Sequence, residues 1–187
     1  TKHRRPIATG DLPIPHALAL IFGLLFGAFA ASATLLSPAA TLMLGAYGGM
    51  SFAYSCYLKQ TLLVDVIVLA GLYTHRILTG GLAAEVSVSP WLLAFSAFFF
   101  LSLAFVKRYM ELRQARDRDH KGLARRAYRV DDLGLVESMG LACGFIAVLV
   151  LCLFISSSDV SLLYRSPEFL WLMCPVLFYW IARIWLL

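Results

Sequence analysis

Lys107-Arg108-Tyr109-Met110-Glu111-Leu112 brings two cations, a phenol and a carboxylate into six residues. Adjacent cations suit a phosphorylated substrate, and a carboxylate beside them suits a metal ion or a sugar hydroxyl. A plainer role is open to the same residues. Lys107 and Glu111 stand four apart, the spacing of an ion pair at a helix end. The preceding run, Trp91 to Val106, has no ionisable side chain, whereas Lys107 to Leu133 holds nine Lys/Arg and five Asp/Glu, 14 of the chain's 27 charges. The motif therefore stands where an apolar helix gives way to a charged loop.

Other polar residues admit the same two readings. Lys59, after Tyr54-Ser55-Cys56-Tyr57-Leu58, has the placement of a lysine snorkelling to the membrane surface, and its hydroxyl-bearing neighbours also suit phosphate. Asp65 and Arg76 share one helical face about 16 Å apart, too far to pair with each other. Asp65 falls near a membrane surface, where a charge costs little. Arg76 lies deeper, with Glu85 a candidate structural partner and a polar site the alternative. His75 suits an interhelical hydrogen bond, and the other histidines are scattered. Asp117 and Asp119, two apart, point in different directions on a helix and make a weak metal pair. The four cysteines lie in apolar runs without C-x-x-C spacing and read as buried small hydrophobes.

The elements that must hold these residues are apolar helices. A hydrophobic content of 60% and a mean hydropathy of +0.79 exceed soluble-globular values. Six segments, roughly 14–36, 40–57, 62–82, 90–106, 134–155 and 168–187, approach or reach the length that spans hydrocarbon, about 20 residues. Ser37-Pro38, Ser89-Pro90 and Ser166-Pro167 each set a capping hydroxyl before a helix-opening proline. Asp131-Asp132 favour a helix start after them. Trp91, Trp171, Trp180 and Trp185 fall mostly near segment ends, as interface anchors do. Period-two alternation is absent, which argues against a β-barrel. The expected fold is an all-α, polytopic transmembrane bundle forming one domain over residues 1–187.

A cytoplasmic N-terminus would place 13 of the 16 Lys/Arg in inside loops and only Arg165 outside, so the basic loops share the cytoplasmic face. The net charge of +5 then reads as topology and affinity for lipid head groups or phosphates, not for nucleic acid. The chain opens on a basic stretch without Met and closes at the end of an apolar helix. It is accordingly expected to be part of a longer protein.

These residues resemble the UbiA-type intramembrane prenyltransferase superfamily, and within it the decaprenyl-phosphate phosphoribosyltransferase branch. The resemblance rests on Thr1 to Gly10 with its Arg-Pro-(x)3-Gly element, Tyr54-Ser55 with Leu58-Lys59, Arg76 with Gly80-Gly81, Ser89-Pro90-Trp91, and Lys107-Arg108-Tyr109 with Glu111-Leu112. It implies nine helices around a central cavity, of which the six here are the third to eighth, with N-terminal helices and a C-terminal helix beyond this chain. A magnesium-binding Asn-Asp-x-x-Asp motif would precede Thr1. The family's second aspartate-rich motif is absent, and Lys107 to Glu111 stands in its place.

The implied activity is transfer of a 5-phosphoribosyl group from phosphoribosyl diphosphate to a polyprenyl phosphate in a bacterial plasma membrane. Arg5, Lys59, Lys107 and Arg108 become candidates for phosphate and diphosphate contacts, with Lys2 and Arg76 as further substrate-binding candidates. Tyr109 would bond the sugar phosphate, and Glu111 would orient a ribose hydroxyl or help hold Mg2+. The alternative within the superfamily is transfer of an isoprenyl chain to an aromatic or other acceptor, which calls for a more carboxylate-rich second motif. A transporter would call for an internal repeat, and none is found.

Overall fold

The computed structural model describes residues 9–10, 12–117, 127–157, 160, 164 and 166–186. Six helices follow one another: α1 (Ile14–Leu35), α2 (Pro38–Cys56), α3 (Val64–Ala83), α4 (Pro90–Asp117), α5 (Leu133–Ile155) and α6 (Met173–Trp185). Short 3-10 turns at Leu58–Gln60, Val130–Asp132 and Pro167–Leu172 lead into α3, α5 and α6. The described part is an all-α bundle. Five stretches are long and apolar enough to cross a membrane: α1, α3, α4, α5 with the turn before it, and α6 with most of its leading turn.

Two of the expected caps are formed. Ser37 Oγ accepts from the Ala40 amide and Ser89 Oγ from the Leu92 amide, each ahead of a proline that needs no donor. Ser166 makes no such bond, and Pro167 opens a 3-10 turn before α6 begins.

The fourth helix differs most from expectation. It does not end where its apolar run ends. Lys107 to Asp117 stays helical, giving 28 residues. At 1.5 Å per residue that is about 42 Å against a hydrocarbon core of about 30 Å. The reason is visible in the buried stripe Phe105, Arg108, Leu112 and Ala115, spaced so that one face stays covered beyond the apolar run. The charged residues lie in the helix's continuation, not in a loop.

Core packing centres on α4, which shares its most extensive interface with α5 and its next with α3. Val66, Phe105, Leu112, Tyr128, Val136, Ile181 and Trp185 are among its buried members. Trp185 is thus a core residue, not the surface anchor its position suggests; its indole N–H donates to Ser102 Oγ at 3.2 Å. Ser102 in turn donates to the Gly140 carbonyl at 2.7 Å. Gly140 and Gly144, four apart on α5, let this seam close. A Cβ at Gly140 would meet Trp185 and come within 2.8 Å of Phe105 Cβ, and one at Gly144 would lie 2.7 Å from Ile181 Cγ2. Small residues four apart permit such approach between helices in lipid.

Candidate active site

The strongest polar cluster sits where α3 begins and α4 outruns its apolar stretch. Asp65 belongs to the first turn of α3, where the helix dipole favours a carboxylate. It is fully buried, contrary to the expectation of a cheap surface charge. The Nε of Arg108 lies 2.9 Å from Asp65 Oδ2, with neither side chain exposed. That contact fails hydrogen-bond geometry, so it is an ion pair without an aligned N–H. Arg108 Nη1 donates to Glu111 Oε2 one turn further along α4. Arg108 Nη2 is buried and has no hydrogen-bond partner among the described residues.

Tyr128, just before the turn into α5, closes the cluster. Its hydroxyl donates to Asp65 Oδ1 at 2.7 Å and accepts from the Leu63 amide at 3.1 Å. Burial pushes the phenol's pKa up, and the hydrogen bond to Asp65 and that carboxylate's charge push it further. The guanidinium of Arg108 lies 5.9 Å from the Tyr128 ring centre. Leu63 takes a left-handed φ of 63°, and Val64 N–H reaches back to the Leu62 carbonyl at 2.7 Å. This is a tight, strained three-residue turn. It aims the Leu63 amide at Tyr128 just as α3 starts.

The candidates named from sequence therefore separate by role. Arg108 is not displayed beside Lys107. Neighbours on a helix point about 100° apart, and Arg108 takes the buried face while Lys107 is exposed. The expected Lys107–Glu111 pairing is replaced by Arg108–Glu111, three apart. Glu111 alone of this cluster's charged groups opens outward, with 34% of its side chain exposed. Lys59 is half-buried in the turn at the same end of the bundle, and neither Lys59 nor Lys107 has an ionic partner among the described residues. Tyr109 is half-buried against Trp185, ring centres 5.7 Å apart. Lys2 and Arg5 lie outside the described residues.

Arg76 belongs elsewhere. It stands about 16 Å along α3 from Asp65. Its guanidinium bonds the Tyr47 hydroxyl and lies 5.1 Å from the ring centres of both Tyr47 and Tyr73. Those rings take the place considered for Glu85. His75 bonds within its own helix instead of between helices: its Nδ1 meets Thr79 Oγ1 at 3.1 Å, and that hydroxyl donates to the His75 carbonyl. The imidazole Nε2 is buried without a partner among the described residues.

Two adjoining apolar hollows lead away from the cluster. One of about 250 Å³ lies between Leu63, Phe105 and Met139, and one of about 380 Å³ between Gly71, His75 and Ala97; they share Ile67 and Leu101. From Leu63 to Leu78 the groove follows α3 for about 22 Å. A larger apolar cavity of about 830 Å³ lies at the other end, against Trp91, about 26 Å along α4 from Arg108. Volume therefore does not mark the polar site.

The sequence marks Asp65 only as a low-cost charge near a membrane surface and does not mark Tyr128 at all. An ionisable side chain in an otherwise apolar helix was the available signal for Asp65. Nothing local pointed to Tyr128, whose partner is 63 residues away. Among the described residues no three His, Cys, Asp or Glu side chains gather as metal ligands. Asp65 and Glu111 both face Arg108, so this cluster does not by itself fit a resident magnesium ion.

Residues 1–187 match the UbiA prenyltransferase family. The chain is 34% identical over its full length to the Sinorhizobium fredii protein y4nM, covering 36% of that protein. It is 37% identical to nodulation protein NoeC of Azorhizobium caulinodans over 73% of the chain and 45% of the relative. To decaprenyl-phosphate phosphoribosyltransferase of Mycobacterium tuberculosis it is 34% identical over 62% of the chain and 38% of the relative. The chain thus spans less than half the length of each of these relatives.

Proposed function

Since this chain belongs to the UbiA prenyltransferase family, we propose that it is part of a membrane transferase moving a 5-phosphoribosyl group from phosphoribosyl diphosphate to a polyprenyl phosphate. The observation that carries this reading is the buried Asp65–Arg108 pair holding a half-open Glu111, with Lys59 and Lys107, which have no ionic partner among the described residues, at the same end of the bundle. A diphosphate leaving group gathers negative charge as the C–O bond breaks, and fixed cations beside it lower that barrier. Half-buried Lys59 supplies such a cation, and exposed Lys107 attracts the diphosphate in bound substrate and transition state alike. The polyprenyl phosphate is already an anion and needs positioning more than deprotonation.

Glu111 accepts a ribose hydroxyl, and Arg108 fixes the carboxylate from below. Arg108 is then a positioning residue, not a direct phosphate contact. The groove from Leu63 to Leu78 gives an isoprenoid chain an apolar course away from the polar end. Lys2 and Arg5 complete the phosphate contacts on this reading, and the basic segments face the cytoplasm of a bacterial plasma membrane. Magnesium would neutralise diphosphate charge if bound, with Glu111 as one ligand at most, since the described cluster does not by itself fit the ion.

The test is an assay of the full-length protein in liposomes with labelled phosphoribosyl diphosphate and polyprenyl phosphate. Label appearing in the lipid fraction, and lost in Glu111→Gln, supports the assignment. Inactivity there, with diphosphate released instead from a polyprenyl diphosphate in the presence of an aromatic acceptor, moves the protein to isoprenyl transfer.

A further inference from the structure

Helices α5 and α6 meet along an antiparallel seam whose layers can be read in sequence. Gly140 faces Trp185 and Gly144 faces Ile181, four residues on in one helix and four back in the other. About two turns further along α5 comes Cys152, and against it, near the start of α6, stands Cys174. The Cys152 thiol donates to the Cys174 sulfur at 3.3 Å. Both cysteines are free. The glycine layers hold the helices close, so this pairing is set by the register of the seam.

We propose that Cys152 and Cys174 are an oxidisable dithiol that a membrane-soluble quinone converts to a disulfide tying α5 to the start of α6. Two S–H bonds break and one S–S bond forms. The two protons and two electrons pass to the quinone's carbonyl oxygens, leaving a quinol. A lipid-soluble oxidant fits because Cys174 is buried and Cys152 half-buried, both within stretches long and apolar enough to cross a membrane. A protein oxidoreductase needs an exposed sulfur to attack. The segment between the two cysteines supplies Phe154, Tyr164 and Leu172 to the wall of the 830 Å³ apolar cavity. The disulfide would close that segment into a loop and fix this wall, far from the Asp65–Arg108 site.

The full-length protein in liposomes, reduced and then treated with a short-chain ubiquinone analogue, tests this. Remaining thiols are alkylated, and the digest is read by mass spectrometry. A linked peptide pair containing Cys152 and Cys174 is expected, with Cys56 and Cys143 still alkylated. The melting temperature should rise on oxidation, because the cross-link restricts the unfolded chain. Cys152→Ser should lose both responses. Full alkylation of Cys152 and Cys174 after quinone, or linkage only between copies through the exposed Cys56, would overturn the proposal. The wild-type peptide map decides the question even where the variant fails to fold.

Discussion

Arg108 and Asp65, 43 positions apart, meet 2.9 Å apart with neither side chain exposed. The contact ties the start of α3 to the point where α4 leaves its apolar run. Burying both charges is costly, and their attraction repays that cost only when other bonds satisfy the remaining atoms. Tyr128 satisfies one Asp65 oxygen, and Glu111 takes one Arg108 nitrogen. The ion pair therefore serves as a joint that sets where Glu111 stands.

Removing one partner of this pair should cost more than removing any surface charge. Asp65→Ala is expected to destabilise the protein by about 3–5 kcal/mol, since it strands a buried guanidinium. Asp65→Asn, which keeps a carbonyl for Tyr128, should cost less. Thermal unfolding of the purified protein in detergent measures both. Equal, small shifts would show that the pair does not carry the joint.

Much of the scaffold is legible in the sequence. Ser37-Pro38 and Ser89-Pro90 marked helix starts because capping and proline geometry are local. The end of α4 was not legible from hydropathy, because apolarity reports the membrane and not the helix. Arg108 and Lys107 looked equivalent in sequence; the helical turn between them and the distant Asp65 make them different. Tyr128 had no local signature at all. The Gly140/Gly144 spacing was readable in principle, but its importance depends on Trp185 and Ile181 arriving from another helix.

Tyr128 gives the joint a pH dependence. Its folded pKa is raised above the ordinary value of 10 by burial first, then by Asp65. The unfolded chain releases the phenolic proton near that value while the folded chain keeps it. The stabilising contribution is thus complete below about pH 10 and declines as pH rises through the folded value. Tyr128→Phe should lower stability at neutral pH by about 1–3 kcal/mol, leaving the Leu63 amide and an Asp65 oxygen without this partner. The difference from wild type should stay constant from about pH 8 to about pH 9 and narrow as pH rises from about 10 to about 11. Parallel melting curves across that range check it; a constant difference would remove Tyr128 from the titrating joint.

The α4–α5–α6 seam should be intolerant of one methyl group. Gly140→Ala places a Cβ against Trp185 and Phe105, and Gly144→Ala places one against Ile181 and Ser102. Each is expected to cost about 1–3 kcal/mol through overpacking. Gly134→Ala, with nothing within 4 Å of the added carbon, is the matched control. Unfolding midpoints of the three variants should separate the first two from the third.

Lys107 and Glu111 should differ in kinetics because they differ in exposure. Lys107 is exposed with no ionic partner among the described residues, so on the proposed function its attraction for phosphoribosyl diphosphate acts on bound substrate and transition state alike. Lys107→Ala should raise KM about tenfold with little change in kcat, a loss of about 1.4 kcal/mol. Added salt should shrink that effect, since exposed charges are screened. Glu111 is held by Arg108 and, on the proposed function, orients the sugar at the reacting carbon. Glu111→Gln should lower kcat roughly 100-fold, the scale on which misplacement acts. Steady-state transfer rates at low and high salt distinguish the two. Matching losses in KM and kcat for both variants, insensitive to salt, would mean that neither residue touches the substrate and that the charged end of α4 is structural.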